Sequence, residues 1–114
     1  DVYEGEEDEL GRPHGFGNMI YADGEVYSGQ WAAGRRHGDG TLTGFGPDGD
    51  RYQGGWADDV RSGQGVHSGP EGVYEGCWRD DAREGLGVLR LRNGDTFEGR
   101  FATNKRVEGT HIYR

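Results

Sequence analysis

Several clusters in this chain have residue types and spacings that could do chemistry. Gly38-Asp39-Gly40 with Gly44, and Gly63-Gln64-Gly65 with Gly69, look like fragments of a phosphate-cradling loop. Such a loop needs its glycines between a strand and a helix N-terminus, where bare N–H groups converge on the phosphate. Here the glycines fall inside stretches of period-two alternation and no helical pattern follows. A nucleotide site is therefore not expected, and no cofactor is implied. His14, His37, His67 and His111 have no i+4 partner and no nearby cysteine, the spacings that metal ligation uses, so they are expected as solvated turn residues. Cys77 is assigned to the outer face of its strand beside Arg79, with no histidine to activate it, and reads as an inert thiol. Asp58-Asp59 and Asp80-Asp81 pair carboxylates as an acid/base couple or a calcium site would, but further ligands and a cleft are missing. They too are expected as solvated turns. No catalytic residue emerges, and the chain is expected not to be an enzyme.

Two groups remain that suit binding. Arg35-Arg36-His37 is the one cationic turn, and Arg35 and Arg36 are the candidates for contact with a phospholipid headgroup or an acidic partner, against the competing expectation of a solvated turn. The second group is a stripe of rings: Tyr27, Trp31, Tyr52, Trp56, Tyr74, Trp78, Phe97 and Phe101. Their first task is to cover glycines. A one-sided sheet has no second layer to bury such a stripe, and contiguous exposed aromatics rimmed by charge mark binding surfaces. These eight are the expected partner-binding residues.

The elements that position them follow from a repeat. Tyr27-Ser28-Gly29-Gln30-Trp31 leads to Gly38-Asp39-Gly40, Tyr52-Gln53-Gly54-Gly55-Trp56 to Gly63-Gln64-Gly65, and Tyr74-Glu75-Gly76-Cys77-Trp78 to Gly85-Leu86-Gly87. Weaker copies open at Tyr3 and close from Phe97, so the lead aromatics fall at 3, 27, 52, 74 and 97. A near-constant spacing of 22 to 25 residues means a repeat array. One domain over 1–114 is expected, with repeats at 3–26, 27–51, 52–73, 74–96 and 97–114. Within a repeat the period is two, which predicts two strands joined by six polar residues. Setting Trp78 opposite Gly85 places Gly76 opposite Gly87 and Tyr74 opposite Leu89, and the same sums set Trp31 on Gly38 and Trp56 on Gly63. Each ring would then lie over bare backbone. Asp23-Gly24, Asp48-Gly49 and Asn93-Gly94 join successive hairpins, and matching the faces at Asn93-Gly94 needs a three-residue or bulged connection rather than a two-residue turn.

The ends depart from the pattern. Glu7 stands where Trp is expected, inside an acidic run that reads as an edge cap. The last repeat has a seven-residue turn from Ala102 to Glu108, and His111 in place of its second glycine. Thr110-His111-Ile112-Tyr113 reads as an edge strand open to self-association.

Composition alone points elsewhere. Only 31% of the 114 residues are hydrophobic, 24 are glycine and the net charge is −8, the profile of a disordered chain. Fixed offsets between Tyr, Gly and Trp overrule it, because a disordered chain has no reason to keep them. A lone cysteine favours a reducing, cytoplasmic setting. The acidic balance argues against nucleic acid and against anionic membrane. Position 1 is not Met, which fits a portion of a longer protein.

The motif Tyr-x-Gly-x-Trp, a turn, then Gly-x-Gly, in units of about 23 residues, resembles the MORN repeat (membrane occupation and recognition nexus) over nearly the whole chain. The resemblance implies an all-β array of consecutive antiparallel hairpins forming one elongated, twisted sheet. It also implies a non-enzymatic scaffold or interaction module, in settings that include ciliary, flagellar and cytoskeletal assemblies. A protein partner is expected in the aromatic groove, as a peptide or helix with apolar anchors and, given acidic turns, basic residues. The alternatives are a phospholipid or membrane attachment module, or a regulatory segment of a larger enzyme.

Overall fold

The computed structural model describes residues 1–114 and holds ten strands and no helix. They are β1 (Val2–Glu7), β2 (Pro13–Ile20), β3 (Val26–Ala32), β4 (Arg35–Phe45), β5 (Asp50–Ala57), β6 (Val60–Ser68), β7 (Gly72–Arg79), β8 (Ala82–Leu91), β9 (Thr96–Ala102) and β10 (Lys105–Ile112). Each pairs antiparallel with the next in one open sheet whose order is the order of the chain, and the molecule measures 52 × 24 × 17 Å.

Glycine sets the register. Gly5, Gly17, Gly29, Gly40, Gly54, Gly65, Gly76, Gly87, Gly99 and Gly109 are paired neighbour to neighbour, one per strand, in a line across the whole sheet. The lead tyrosines lie over this line. A Cβ on Gly40 would fall inside the Tyr27 ring, one on Gly65 inside Tyr52, and one on Gly87 inside Tyr74. Tyr27–Leu42 and Tyr74–Leu89 pair as the spacing predicts.

The tryptophans do not pair as predicted. Trp31 faces Arg36, Trp56 faces Arg61 and Trp78 faces Arg83 within their own hairpins, because a bulge shifts the register between Gly29 and Trp31 and at the two equivalent sites. The glycines assigned to them lie against the following repeat instead: Gly38 opposite Trp56 and Gly63 opposite Trp78, with Gly15 opposite Trp31 and Gly85 opposite Phe101. Gly38, Gly63 and Gly85 have φ of 89°, 80° and 87°, the left-handed conformation that a bulge of this kind asks of glycine. The two glycines of Gly-x-Gly thus do separate work: the first turns the strand and the second makes room for a ring.

The bulges also shorten the turns. In the last four hairpins only Ala33-Gly34, Asp58-Asp59, Asp80-Asp81 and Thr103-Asn104 lie between paired strand ends, each with both φ values positive, as in a type I′ turn. The six-residue turns predicted from spacing are mostly strand, and all four histidines lie in strands rather than turns. In the last hairpin Gly109 pairs with Gly99, so it is the second glycine; Val107 stands at the first, and His111 takes the place of Leu42 and Leu89. Between hairpins, Tyr21 and Leu91 bond to Glu25 and Asp95 across three residues ending in Gly24 and Gly94, the three-residue connection expected.

A methyl group on the glycine line has nowhere to go, since ring lies on one side and backbone on the other. Gly65→Ala should therefore cost about 3 kcal/mol, the upper range for overpacking, while Gln53→Ala on the exposed opposite face should stay within about 0.5 kcal/mol. Denaturant unfolding of the two variants checks this, and equal losses would contradict the placement of Tyr52.

Candidate functional site: the aromatic face and its arginine ladder

The rings of the aromatic face form one unbroken train. Tyr3, Trp31, Tyr27, Trp56, Tyr52, Trp78, Tyr74, Phe101 and Phe97 meet in that order, edge to face, at centroid distances of 4.9–5.6 Å and interplanar angles of 80–89°. Every polar tip has a partner. Tyr27, Tyr52 and Tyr74 donate to the carbonyls of Gln30, Gly55 and Cys77 at 2.8–2.9 Å, the residues lying within the bulges. Trp31, Trp56 and Trp78 donate Nε1–H to Gly17, Gly40 and Gly65 of the preceding repeat at 3.1–3.2 Å. Burial pushes the Tyr74 phenol up to about 12, and those of Tyr27 and Tyr52 higher still.

None of the eight rings assigned to partner binding is more than 7% exposed. The face has a second layer after all, made of arginine. Arg36 lies over Trp56 with its guanidinium carbon 4.5 Å from the ring centre, Arg61 over Trp78 at 4.4 Å, Arg83 over Tyr74 at 4.9 Å and Arg106 over Phe97 at 5.6 Å. The groove of exposed aromatics predicted from sequence is therefore a core under a cationic cover.

A clasp to the next repeat holds Arg36 and Arg61. Asp59 N–H donates to the Arg36 carbonyl at 3.0 Å, and Asp59 Oδ1 accepts Arg36 N–H at 2.9 Å and Nε–H at 3.2 Å. Asp81 does the same for Arg61, at 3.1, 3.2 and 2.7 Å. These arginine hydrogen bonds outweigh the burial that alone would raise the Asp81 carboxyl, and hold it below the usual carboxylate range. Spacing had left Asp59 and Asp81 as solvated turns and Arg36 as a free cation; all three are inter-repeat ties. Of the two lipid-contact candidates, only Arg35 is an exposed residue. The one signal for the clasp is Asp as the second residue of two successive turns, Asp59 and Asp81, with Arg36 and Arg61 in the preceding repeats.

Two adjoining depressions open above the rings. Phe45, Arg61, His67, Glu71, Trp78, Arg83 and Asn104 line one of about 390 Å³. The other, of about 180 Å³, shares Phe45 and Arg61 and adds Glu25, Arg36, Leu42, Trp56 and Asp81. Phe45 stacks on His67 at 5.6 Å, and His67 Nε2 is 2.8 Å from Asp50 Oδ2. A family model for the MORN repeat matches residues 9–26, 27–51, 52–73 and 74–96. The chain belongs to the MORN-repeat family. No match was found among curated proteins. The fifth hairpin, β9–β10, lies outside the matched residues yet keeps the MORN geometry, with Gly99 on Gly109 and Phe101 ending the ring train. MORN repeats are protein- or membrane-interaction modules and are generally non-catalytic. Cys77 sits away from the rings, with its Sγ 3.0 Å from the Gln64 amide nitrogen.

His67 gives this face a pH dependence. Burial lowers its pKa, the Asp50 carboxylate only partly opposes that, and its Nδ1 has no hydrogen-bond partner. A histidine depressed in the folded state binds more protons when unfolded. Its contribution to stability is complete above the unfolded pKa of about 6.5 and falls as the pH drops towards the folded value. Thermal melts between pH 7.5 and 5.5 should show this loss. The slope should flatten in His67→Leu made with Asp50→Asn, which copies Leu42 and Leu89 and leaves no carboxylate unpaired. An unchanged slope would assign the pH dependence to other groups.

Proposed function

We propose that this MORN array is a non-enzymatic scaffold that holds a segment of a protein partner against its aromatic face. The observation that carries this is the pair of depressions around Phe45, where a partly buried ring stands among guanidinium groups on an otherwise acidic protein. The buried rings are the rigid floor, and Phe45, Arg61 and Arg83 are the surface a partner touches. A basic ligand is expected from the acidic turns, but two of those carboxylates, Asp59 and Asp81, are committed to arginines. A rod 52 Å long suits a spacer in a cytoskeletal or ciliary assembly. Peptide display on the folded array should select segments whose affinity falls at least tenfold with Phe45→Ser and is unmoved by Val66→Ser on the opposite face. The reverse pattern would move the site to that face. Tight sedimentation with phosphatidylserine vesicles at physiological salt, lost in Arg35→Glu, would favour membrane attachment instead.

Self-association through β10 is a second interaction we propose, favoured by the exposure of Val107, Ile112 and Tyr113 along a strand paired on one side. Sedimentation velocity should show mass rising with concentration, and less so after Ile112→Lys. A monomer at all concentrations would exclude it.

A further inference from the structure

The arginine ladder breaks at one place. Arg36 and Arg61 each have a carboxylate of their own, from Asp59 and Asp81. At the next position the turn residue is Asn104. Its backbone N–H donates to the Arg83 carbonyl at 3.1 Å and its Oδ1 accepts Arg83 N–H at 3.0 Å, so the clasp is kept. What is lost is the charge.

Glu71 fills the gap from a distance. It sits in the two-residue turn Pro70-Glu71 between β6 and β7, which Gly69 and Gly72 close by bonding in both directions at 3.0 and 3.2 Å. One carboxylate oxygen lies 3.1 Å from Arg83 Nη1 and the other 3.3 Å from Arg106 Nη2. Three carboxylates thus bond directly to the four arginines of this face, and one of the three, Glu71, serves two guanidinium groups. The Glu71 side chain is 49% exposed, so it holds Arg83 and Arg106 in an arrangement that water and salt weaken. Glu71 and Arg83 themselves line the depression of about 390 Å³, whose apolar walls are Phe45 and Trp78.

We infer that Arg83 and Arg106 are a receptor for a carboxylate of an acidic peptide segment, and that Glu71 occupies the receptor as an internal stand-in until that segment displaces it. This rests on the aromatic face being a protein-binding surface, and it names the chemistry of the ligand. Planar guanidinium groups take carboxylates through paired N–H donors, and Glu71 shows that one carboxylate reaches both arginines. The Phe45 and Trp78 walls of the same depression take an apolar residue next to the acid. Because the whole protein carries −8, a long polyanion would be repelled, so the segment is short and acidic only locally.

The test is a nuclear magnetic resonance titration of the ¹⁵N-labelled protein with three capped tetrapeptides: Leu-Glu-Glu-Leu, Leu-Gln-Gln-Leu and Leu-Lys-Lys-Leu. The acidic peptide should bind best and shift the side-chain Nε–H signals of Arg83 and Arg106. Glu71→Gln, which removes the stand-in, should tighten it at least threefold. Asn104→Asp, which gives Arg83 the carboxylate that Arg36 and Arg61 already have, should weaken it at least threefold. That variant copies the two intact clasps, so folding is not at risk, and dispersion of the backbone spectrum confirms it. Unchanged or weaker binding in Glu71→Gln overturns the proposal, as does preference for the lysine peptide. If the neutral or basic peptide binds this face as well as the acidic one, the receptor is wrong and the interaction surface stands. If no peptide shifts this face while display selects binders to it, only the receptor fails; silence in both experiments removes the surface as well.

Discussion

A tyrosine ring can lie flat on a β-sheet only where the strand beneath it carries no side chain, and most of this molecule follows from that restriction. Ten glycines, one to each strand, form a bare track across the sheet, and Tyr27, Tyr52 and Tyr74 lie along it. A sheet with one layer has little else to bury. The rings supply the apolar area, and the bulges they cross leave carbonyls that the phenol groups satisfy. Glycine weakens a strand for lack of side-chain packing, and here the ring returns that packing from above.

Repeats are tied together at both edges of the ring train. Trp31, Trp56 and Trp78 reach back to a glycine carbonyl of the repeat before, while the following turn clasps the preceding arginine through backbone and side chain. Each unit therefore completes its neighbour, which is why one hairpin cannot stand alone and an array can. The arginine is suited to this joint because its planar head stacks on a ring and offers N–H donors to a carboxylate at the same time. Lysine, with a compact charge and no plane, could do one of these but not both. Where the joint lacks its carboxylate, at Asn104, the fold persists because the backbone half of the clasp does not depend on charge.

In the function proposed above, the cover rather than the rings meets the partner. Burial removes Tyr52 or Trp78 from direct contact, yet their rigidity fixes where Arg61, Arg83 and Phe45 stand. The ring train recruits Arg36, Arg61, Arg83 and Arg106, and the carboxylates of Asp59, Asp81 and Glu71 come with them.

The spacing of Tyr, Gly and Trp by itself determined the hairpins, their order, the single aromatic face and a connection longer than two residues at Gly94, because those depend on local periodicity and turn chemistry. It determined the pairing of Tyr74 with Leu89 for the same reason. It did not determine the partner of Trp78. Opposing Gly63 rather than Gly85 depends on a bulge, and a bulge changes the register only by where the backbone of a neighbouring strand lies. Nor could it place Asp59 on Arg36, or Glu71 between Arg83 and Arg106, since these residues are 12 to 35 positions apart and meet only once the sheet has brought successive repeats side by side. Exposure was likewise a tertiary outcome: whether a stripe of rings is a groove or a core depends on what folds over it, and the arginines that do so come from neighbouring strands of the sheet.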